Sequence, residues 1–323
     1  MKIAKRTLSF LLSAGMVFTA AAGCERIAAA DAGTDDPKKL SIVTTIFPEY
    51  DWVREIMGDN AESADLTMLL DNGVDLHSYQ PTAADIVRLH SCDILIYTGG
   101  ESEKWVAEVI KQSSNENLKA LNLIELLGDR AVNEREEGTA VRSDGDETDE
   151  HIWLSLKNAG ILTDKIAEAL CAADGENAAV YRKNAGEYSK ALKTLDEKYT
   201  DALKNAKQKA LIFADRFPFR YLTDDYGLDY YAAFPGCSAE TEASFETVIF
   251  LAKKADENGD CIFITETSNG DIANAVNQNT AKKNKKILTL DSMQSVNKKD
   301  IKNGMTYISV MQKNLETLKI GVE

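Results

Sequence analysis

The chain has 323 residues, enough for two domains of ordinary size, each with its own core. Hydrophobic residues make up 44% and charged residues 28%, which excludes disordered and collagen-like classes. Acidic residues outnumber basic ones 52 to 37, a net charge of −15, so most of the surface repels a phosphate backbone and nucleic acid is excluded as a partner. Such a chain attracts cations. It carries only three histidines, so each is worth placing.

Lys2, Lys5 and Arg6 precede an apolar run over residues 8–22, the layout of a secretory signal peptide. The run is too short for a membrane span of about 20 residues. It ends in Ala21-Ala-Gly-Cys24, which looks like a bacterial lipobox, with Ala21 where leucine is usual. Residues 1–23 are therefore expected to be removed, leaving the Cys24 thiol to carry lipid. Residues 24–39, rich in Ala and Asp with Gly33 and Pro37, read as a flexible lipid-anchored tether. Cleavage removes three positive charges and no negative one, so the mature chain is near −18. No later stretch is long and apolar enough to cross a bilayer. The expected location is extracytoplasmic, tethered to the cell membrane by the N-terminus.

From residue 40 onward, short β-rich runs alternate with helical segments. Residues 40–46 read as a strand, 50–57 as a helix, 64–70 as a strand and 82–89 as a helix. Residues 93–97 form a buried strand closed by Gly99-Gly100, and 102–112 are helical. This order argues for a mostly parallel sheet covered by helices. Residues 128–150 break the pattern with few apolar and many acidic residues, the composition of a solvated loop. After it, 154–170 is helical.

Residues 178–206 contain no proline, and apolar or small side chains recur at Tyr181, Ala185, Tyr188, Leu192, Leu195, Tyr199, Ala202 and Ala206. The steps alternate four and three, one continuous helical stripe. A helix of about 28 residues is on the order of 42 Å long. No partner stripe of similar length exists, so it reads as an intramolecular spine. A second alternating region follows, with strands at 210–213, 230–234, 261–265 and 286–290. Helices fall at 221–226, 245–255, 271–278 and 306–318. The fold class is α/β: two α/β lobes, 40–177 and 208–323, with mostly parallel sheets, joined by a single long rigid helix over 178–207.

Chemistry is expected where strand ends face the cleft between lobes. His77 lies in the turn-rich loop Asp71-Asn-Gly-Val-Asp-Leu-His77, directly after a strand. His151 ends the acidic loop and precedes Ile152-Trp-Leu154. Asp291 and Glu266 each follow a strand. Two neutral imidazoles plus carboxylates suit Zn²⁺ or Mn²⁺. The competing reading is helix caps and solvated surface. His90, at a helix end, reads as a C-terminal cation. The cysteines after Cys24 (Cys92, Cys171, Cys237 and Cys261) match no CxxC or zinc-finger spacing. Export permits a disulfide, but Cys92 and Cys261 lie beside apolar runs and read as buried thiols.

Several motifs resemble the zinc and manganese solute-binding lipoproteins of bacterial ABC importers, the TroA-like superfamily. They are Thr44-Thr-Ile-Phe-Pro-Glu-Tyr50, residues 70–82, residues 93–100 with Trp105, and Glu150-His-Ile-Trp-Leu-Ser155. In the second half they are Tyr226-Gly-Leu228, Thr241-Glu-Ala-Ser244, Leu290-Asp-Ser-Met293 and Tyr307 with Asn314. The similarity covers roughly residues 40–320, in order. It implies a metal-type periplasmic-binding-protein fold with one metal in the cleft. The implied partners are a cognate permease and its ATPase, and the implied state is a monomer.

The ligands transfer one at a time. His77 matches the first family histidine, His151 the second, and Asp291 the carboxylate of the C-terminal lobe. The third family ligand, a His or Glu, aligns with Arg216, which stays protonated and offers no lone pair. Asp215 or Glu266 then supplies the missing donor, or water does; alternatively Arg216 pairs with Glu266. The His-rich loop of zinc members is acidic here, with Asp144, Asp146, Glu147, Asp149 and Glu150. Zn²⁺ is expected over Mn²⁺, because fewer donors suit a four-coordinate ion. Two other functions compete. A zinc hydrolase would use Asp215 or Glu266 as base, but no His-Glu-x-x-His motif is present. A surface adhesin, a role sometimes attached to this family, has no residue signature here.

Overall fold

The computed structural model describes residues 39–134, 139, 147–238 and 242–323. The signal peptide, the Cys24 lipobox, the tether up to residue 38, and Asp144 and Asp146 lie outside the described residues. The first lobe runs β1 (Ser41–Thr44), α1 (Phe47–Met57), β2 (Asp65–Met68), α2 (Ala83–Ser91), β3 (Ile94–Tyr97), α3 (Lys104–Gln112), β4 (Lys119–Asn122) and α4 (Leu123–Leu127). Two longer helices follow, α5 (Leu156–Ala173) and α6 (Ala178–Leu203). The second lobe is β5 (Ala210–Phe217), α7 (Arg220–Tyr226), β6 (Asp229–Pro235), α8 (Phe245–Asn258), β7 (Cys261–Thr265), α9 (Asp271–Asn279), β8 (Lys286–Leu290), α10 (Lys298–Lys302) and α11 (Tyr307–Val322).

Each lobe holds a four-stranded parallel sheet, in order β2-β1-β3-β4 in the first and β6-β5-β7-β8 in the second. The two halves therefore repeat one topology. In each, strand order reverses beside the first strand, which opens a crevice at the carboxyl ends of the strands. The β4–α4 segment is an addition to the sequence reading. Its strand, Lys-Ala-Leu-Asn, sits at the sheet edge with Lys119 exposed, too short and too polar to show a period.

Capping side chains set the helix starts. Thr82 and Asp85 close a reciprocal box at α2, Thr82 Oγ1 accepting from Asp85 N and Asp85 Oδ2 accepting from Thr82 N. Ser155 and Ser244 cap α5 and α8 by accepting from Asn158 N and Thr247 N, and Thr306 closes a second reciprocal box with Ser309 at α11. In α6 the expected stripe is buried through Tyr181, Ala185, Tyr188, Leu192, Leu195 and Tyr199, and then at Leu203, while Ala202 is half-buried. That stripe packs on α1 and α5 from the first lobe and on α11 and α7 from the second. One apolar core consequently runs from Ile42 to Val322 across both lobes, and a second lies under α8 and α9. Each large side chain in them contributes roughly 1.5–3 kcal/mol by leaving water.

Polar contacts stitch the lobes where the cleft closes. Tyr199 Oη donates to Met311 O at 2.6 Å, and Tyr307 Oη donates to Trp153 O at 2.6 Å. Trp153 Nε1 donates to Ser292 O at 2.8 Å. Asp51 on α1 accepts from Tyr307 N at 2.8 Å, and its other oxygen is buried without a hydrogen bond. Burial pushes the Asp51 carboxyl up to about 7. A native carboxyl raised this far binds its proton more tightly than the unfolded chain does, so unfolding stability falls as pH rises from about 4 to 7. Asp51→Asn keeps an acceptor for Tyr307 and removes the ionisation. Chemical denaturation across that pH range is expected to show a flatter profile in the variant, by about 1.4 kcal/mol for each pH unit of raised pKa. An unchanged slope would mean that Asp51 ionises normally.

Candidate metal centre

His77 sits in a short helical turn (Leu76–Ser78) beyond β2, with Asp75 capping it by accepting from His77 N at 3.0 Å. The ring Nδ1 lies 2.7 Å from Ser102 Oγ, on the loop after β3. Gly99 and Gly100 turn that loop with φ of 90° and 82°. A Cβ on Gly100 would meet Glu150 Oε1 at 2.5 Å, so only glycine lets Glu150 pass beneath. Glu150 Oε1 accepts from Ser102 N, and its Oε2 is buried 3.5 Å from His77 Nδ1.

His151 begins a turn (Ile152–Leu154) and is fully buried. Asp149 Oδ1 accepts from both His151 N at 2.9 Å and His151 Nδ1 at 3.0 Å. One carboxylate thus places the proton on Nδ1 and leaves Nε2 with its lone pair. The ring is wedged between Trp153 and the backbone of Gly236, where a Cβ would come 2.8 Å from His151 Cε1.

The two imidazoles face each other, Nε2 to Nε2 at 3.2 Å. Gln294 closes the pair: its Nε2 lies 3.0 Å from His77 Nε2 and 2.9 Å from His151 Nε2. One amide NH₂ has two protons, enough to donate to a lone pair on each ring. Met293 makes this reach possible by adopting φ 62°, a left-handed turn that swings Gln294 inward. Burial, then the neighbouring His151, pushes His77 down to about 3 against the pull of Asp75. Burial opposes charge on His151 too, but Asp149 and Glu150 outweigh it and its pKa is raised.

The geometry fits a small cation. Two nitrogens each about 2.0–2.1 Å from one tetrahedral Zn²⁺ stand about 3.3 Å apart, close to the separation here. Cys237, on the turn after β6, is the third member: the ligating atoms of His77, His151 and Cys237 all lie within 4.8 Å of one another. Among the described residues no Asp or Glu joins this group.

The carboxylates expected from the sequence are elsewhere. Asp291 Oδ1 accepts from Met293 N, and the side chain lines a surface groove with Asp300 and Lys313. Asp215 Oδ2 accepts from Thr265 N and Oγ1. Glu266 accepts from Ser292 N and Oγ, and burial followed by the nearby Asp291 charge pushes it up to about 7. Arg216 does not pair with Glu266. Its Nη2 donates to Asp75 Oδ2 at 2.7 Å, tying the His77 turn to the second lobe. His90 is remote, its Nε2 3.2 Å from Val109 O.

The profile of the family described as ZnuA, zinc-uptake complex component A, periplasmic, matches residues 42–321. The chain belongs to the ZnuA family. It is 31% identical over 288 residues to the zinc-binding lipoprotein AdcA of Streptococcus pneumoniae (strain ATCC BAA-255 / R6), covering 87% of this chain and 55% of AdcA. The chain thus spans about half the length of AdcA. To the high-affinity zinc uptake system protein ZnuA of Bacillus subtilis it is 27% identical over 316 residues, 96% of this chain and 95% of that protein. The fold agrees with the Zn(II)-bound ZnuA-like domain of S. pneumoniae AdcA at a TM-score of 0.71 and 29% identity, covering 88% of this chain and 99% of that domain. In this ZnuA-family chain the groups lying beside His77 and His151 are Gln294 and Cys237, neither of which the sequence reading named as a ligand. The available signal for Cys237 was its place: Gly236-Cys237 directly follows a strand, whereas Cys92 and Cys261 flank apolar runs.

Proposed function

We propose that this protein captures Zn²⁺ outside the cytoplasm and delivers it to the permease of an ABC importer driven by its own ATPase. It acts as a monomeric carrier without catalytic chemistry, anchored to the membrane by lipid on Cys24. His77 and His151 hold the ion through Nε2. The observation that carries this reading is the pair of imidazoles facing each other at 3.2 Å, half-buried at His77 and buried at His151, each with Nδ1 already engaged. Both Nε2 atoms turn toward one point, where the Gln294 amide now lies against them and a bound cation would take its place. Membership of a zinc-uptake family and the zinc-binding names of its relatives support the same reading.

Zn²⁺ is favoured over Mn²⁺ on two grounds. Affinity of imidazole sites rises from Mn²⁺ to Zn²⁺, and no carboxylate in the described site tilts the set toward harder ions. Competitive titration of the full chain against a chromophoric chelator is expected to give Zn²⁺ at least about a hundredfold tighter than Mn²⁺. Equal affinities, or tighter Mn²⁺, would overturn the assignment of cargo.

A further inference from the structure

Resting on that reading, we propose that the thiolate of Cys237 is the third protein ligand, replacing the donor that Arg216 cannot supply. The first lobe offers both histidines, so an ion bound by them alone would not join the two lobes. Of the second lobe's candidates, Asp215 and Glu266 spend their oxygens on backbone and hydroxyl donors, and Asp291 accepts from Met293 N and stands outside the histidine group. Arg216 is held by Asp75. Cys237 is the second-lobe group whose ligating atom lies within 4.8 Å of both histidine nitrogens.

Its backbone is built for that approach. Gly236 lies against the His151 ring, with any Cβ meeting Cε1 at 2.8 Å and Phe217 O at 2.8 Å, so the turn comes closer than a larger residue permits. Glu134 Oε1 fixes the turn by accepting from Cys237 N at 3.0 Å. Cys237 is free of any disulfide and half-buried. On binding, the S–H bond breaks as the metal–sulfur bond forms, and the proton leaves to the buffer. Turning the Gln294 amide over then presents Oε1 where Nε2 now lies, a fourth donor beside both imidazoles. A soft thiolate also strengthens discrimination against Mn²⁺.

Cobalt substitution tests this without reference to transport. Co²⁺ added to the full chain is expected to show visible ligand-field bands and a sulfur-to-metal charge-transfer band in the near ultraviolet. Cys237→Ser should lose the charge-transfer band, keep the ligand-field bands, and bind Zn²⁺ at least about tenfold more weakly. Cys261→Ser and Cys171→Ser should retain the charge-transfer band. A wild-type cobalt complex without that band would overturn the thiolate ligand and leave zinc capture standing. A charge-transfer band that persists in Cys237→Ser would also overturn it, by assigning the sulfur elsewhere. Failure of the wild type to bind Co²⁺ or Zn²⁺ at all would sink the carrier reading itself. Should Cys237→Ser fail to fold, the wild-type spectrum and a Cys237→Ala variant decide the matter.

Discussion

His77→Ala and His151→Ala are each expected to weaken Zn²⁺ binding by about a thousandfold or more, and the double variant to abolish it. The magnitude follows from the coordination. Each ring presents one Nε2 lone pair, and its replacement by water forfeits on the order of 4 kcal/mol at about 1.4 kcal/mol per tenfold. The groups behind the rings predict a graded series. Asp149→Asn leaves every direct donor in place but replaces the charged acceptor that holds the His151 proton on Nδ1 with a neutral amide. Ser102→Ala removes the hydroxyl that engages His77 Nδ1. Losses of about 10- to 100-fold are expected for these two. Competitive titration reads all four values, and circular dichroism of the metal-free variants checks that the fold survives. Wild-type affinity in the double histidine variant would remove the site. Equal losses for Asp149→Asn and His151→Ala would show that Asp149 does more than orient a ring.

Parts of this arrangement were legible in the sequence because local rules govern them. The α6 spine showed itself through a sustained helical period, and its burial follows that period to Tyr199 before drifting to Leu203. His77 and His151 stood out because histidine is rare here, His77 following a strand and His151 ending the acidic loop. Asp291 looked equivalent by position, yet a single turn separates it from the site. Its side chain accepts from Met293 N, and the left-handed Met293 sends Gln294 inward instead. No propensity rule anticipates φ 62° at a methionine. Cys237 escaped for a different reason. Cysteine spacing detects ligands from one segment, whereas this group draws on loops near residues 77, 151 and 237. Only the crevice formed by two repeated sheet topologies gathers them. Likewise Arg216 could be excluded as a ligand by its charge, but its partner Asp75 lies 141 residues away and no local pattern links them.

The metal is expected to stabilise the fold strongly, because the three candidate donors come from both lobes. A ligand that binds only the native state adds RT ln(1 + [L]/Kd), about 4 kcal/mol at a thousandfold excess over Kd. For a chain of this size that corresponds to a rise in Tm of roughly 10 °C. Mn²⁺ at the same free concentration is expected to give a much smaller rise. The lobe connections sharpen the test. Trp153 to Ser292, Tyr307 to Trp153 and Arg216 to Asp75 already join the halves without metal. Metal-free protein should therefore melt in one cooperative transition, with zinc moving that transition upward intact. If zinc bound only the first-lobe histidines, the transition would instead broaden or split, since one half would be stabilised and the other not. The His77→Ala, His151→Ala double variant should show no shift with either ion. A wild-type Tm unmoved by Zn²⁺ at saturating concentration would contradict binding to the native cleft.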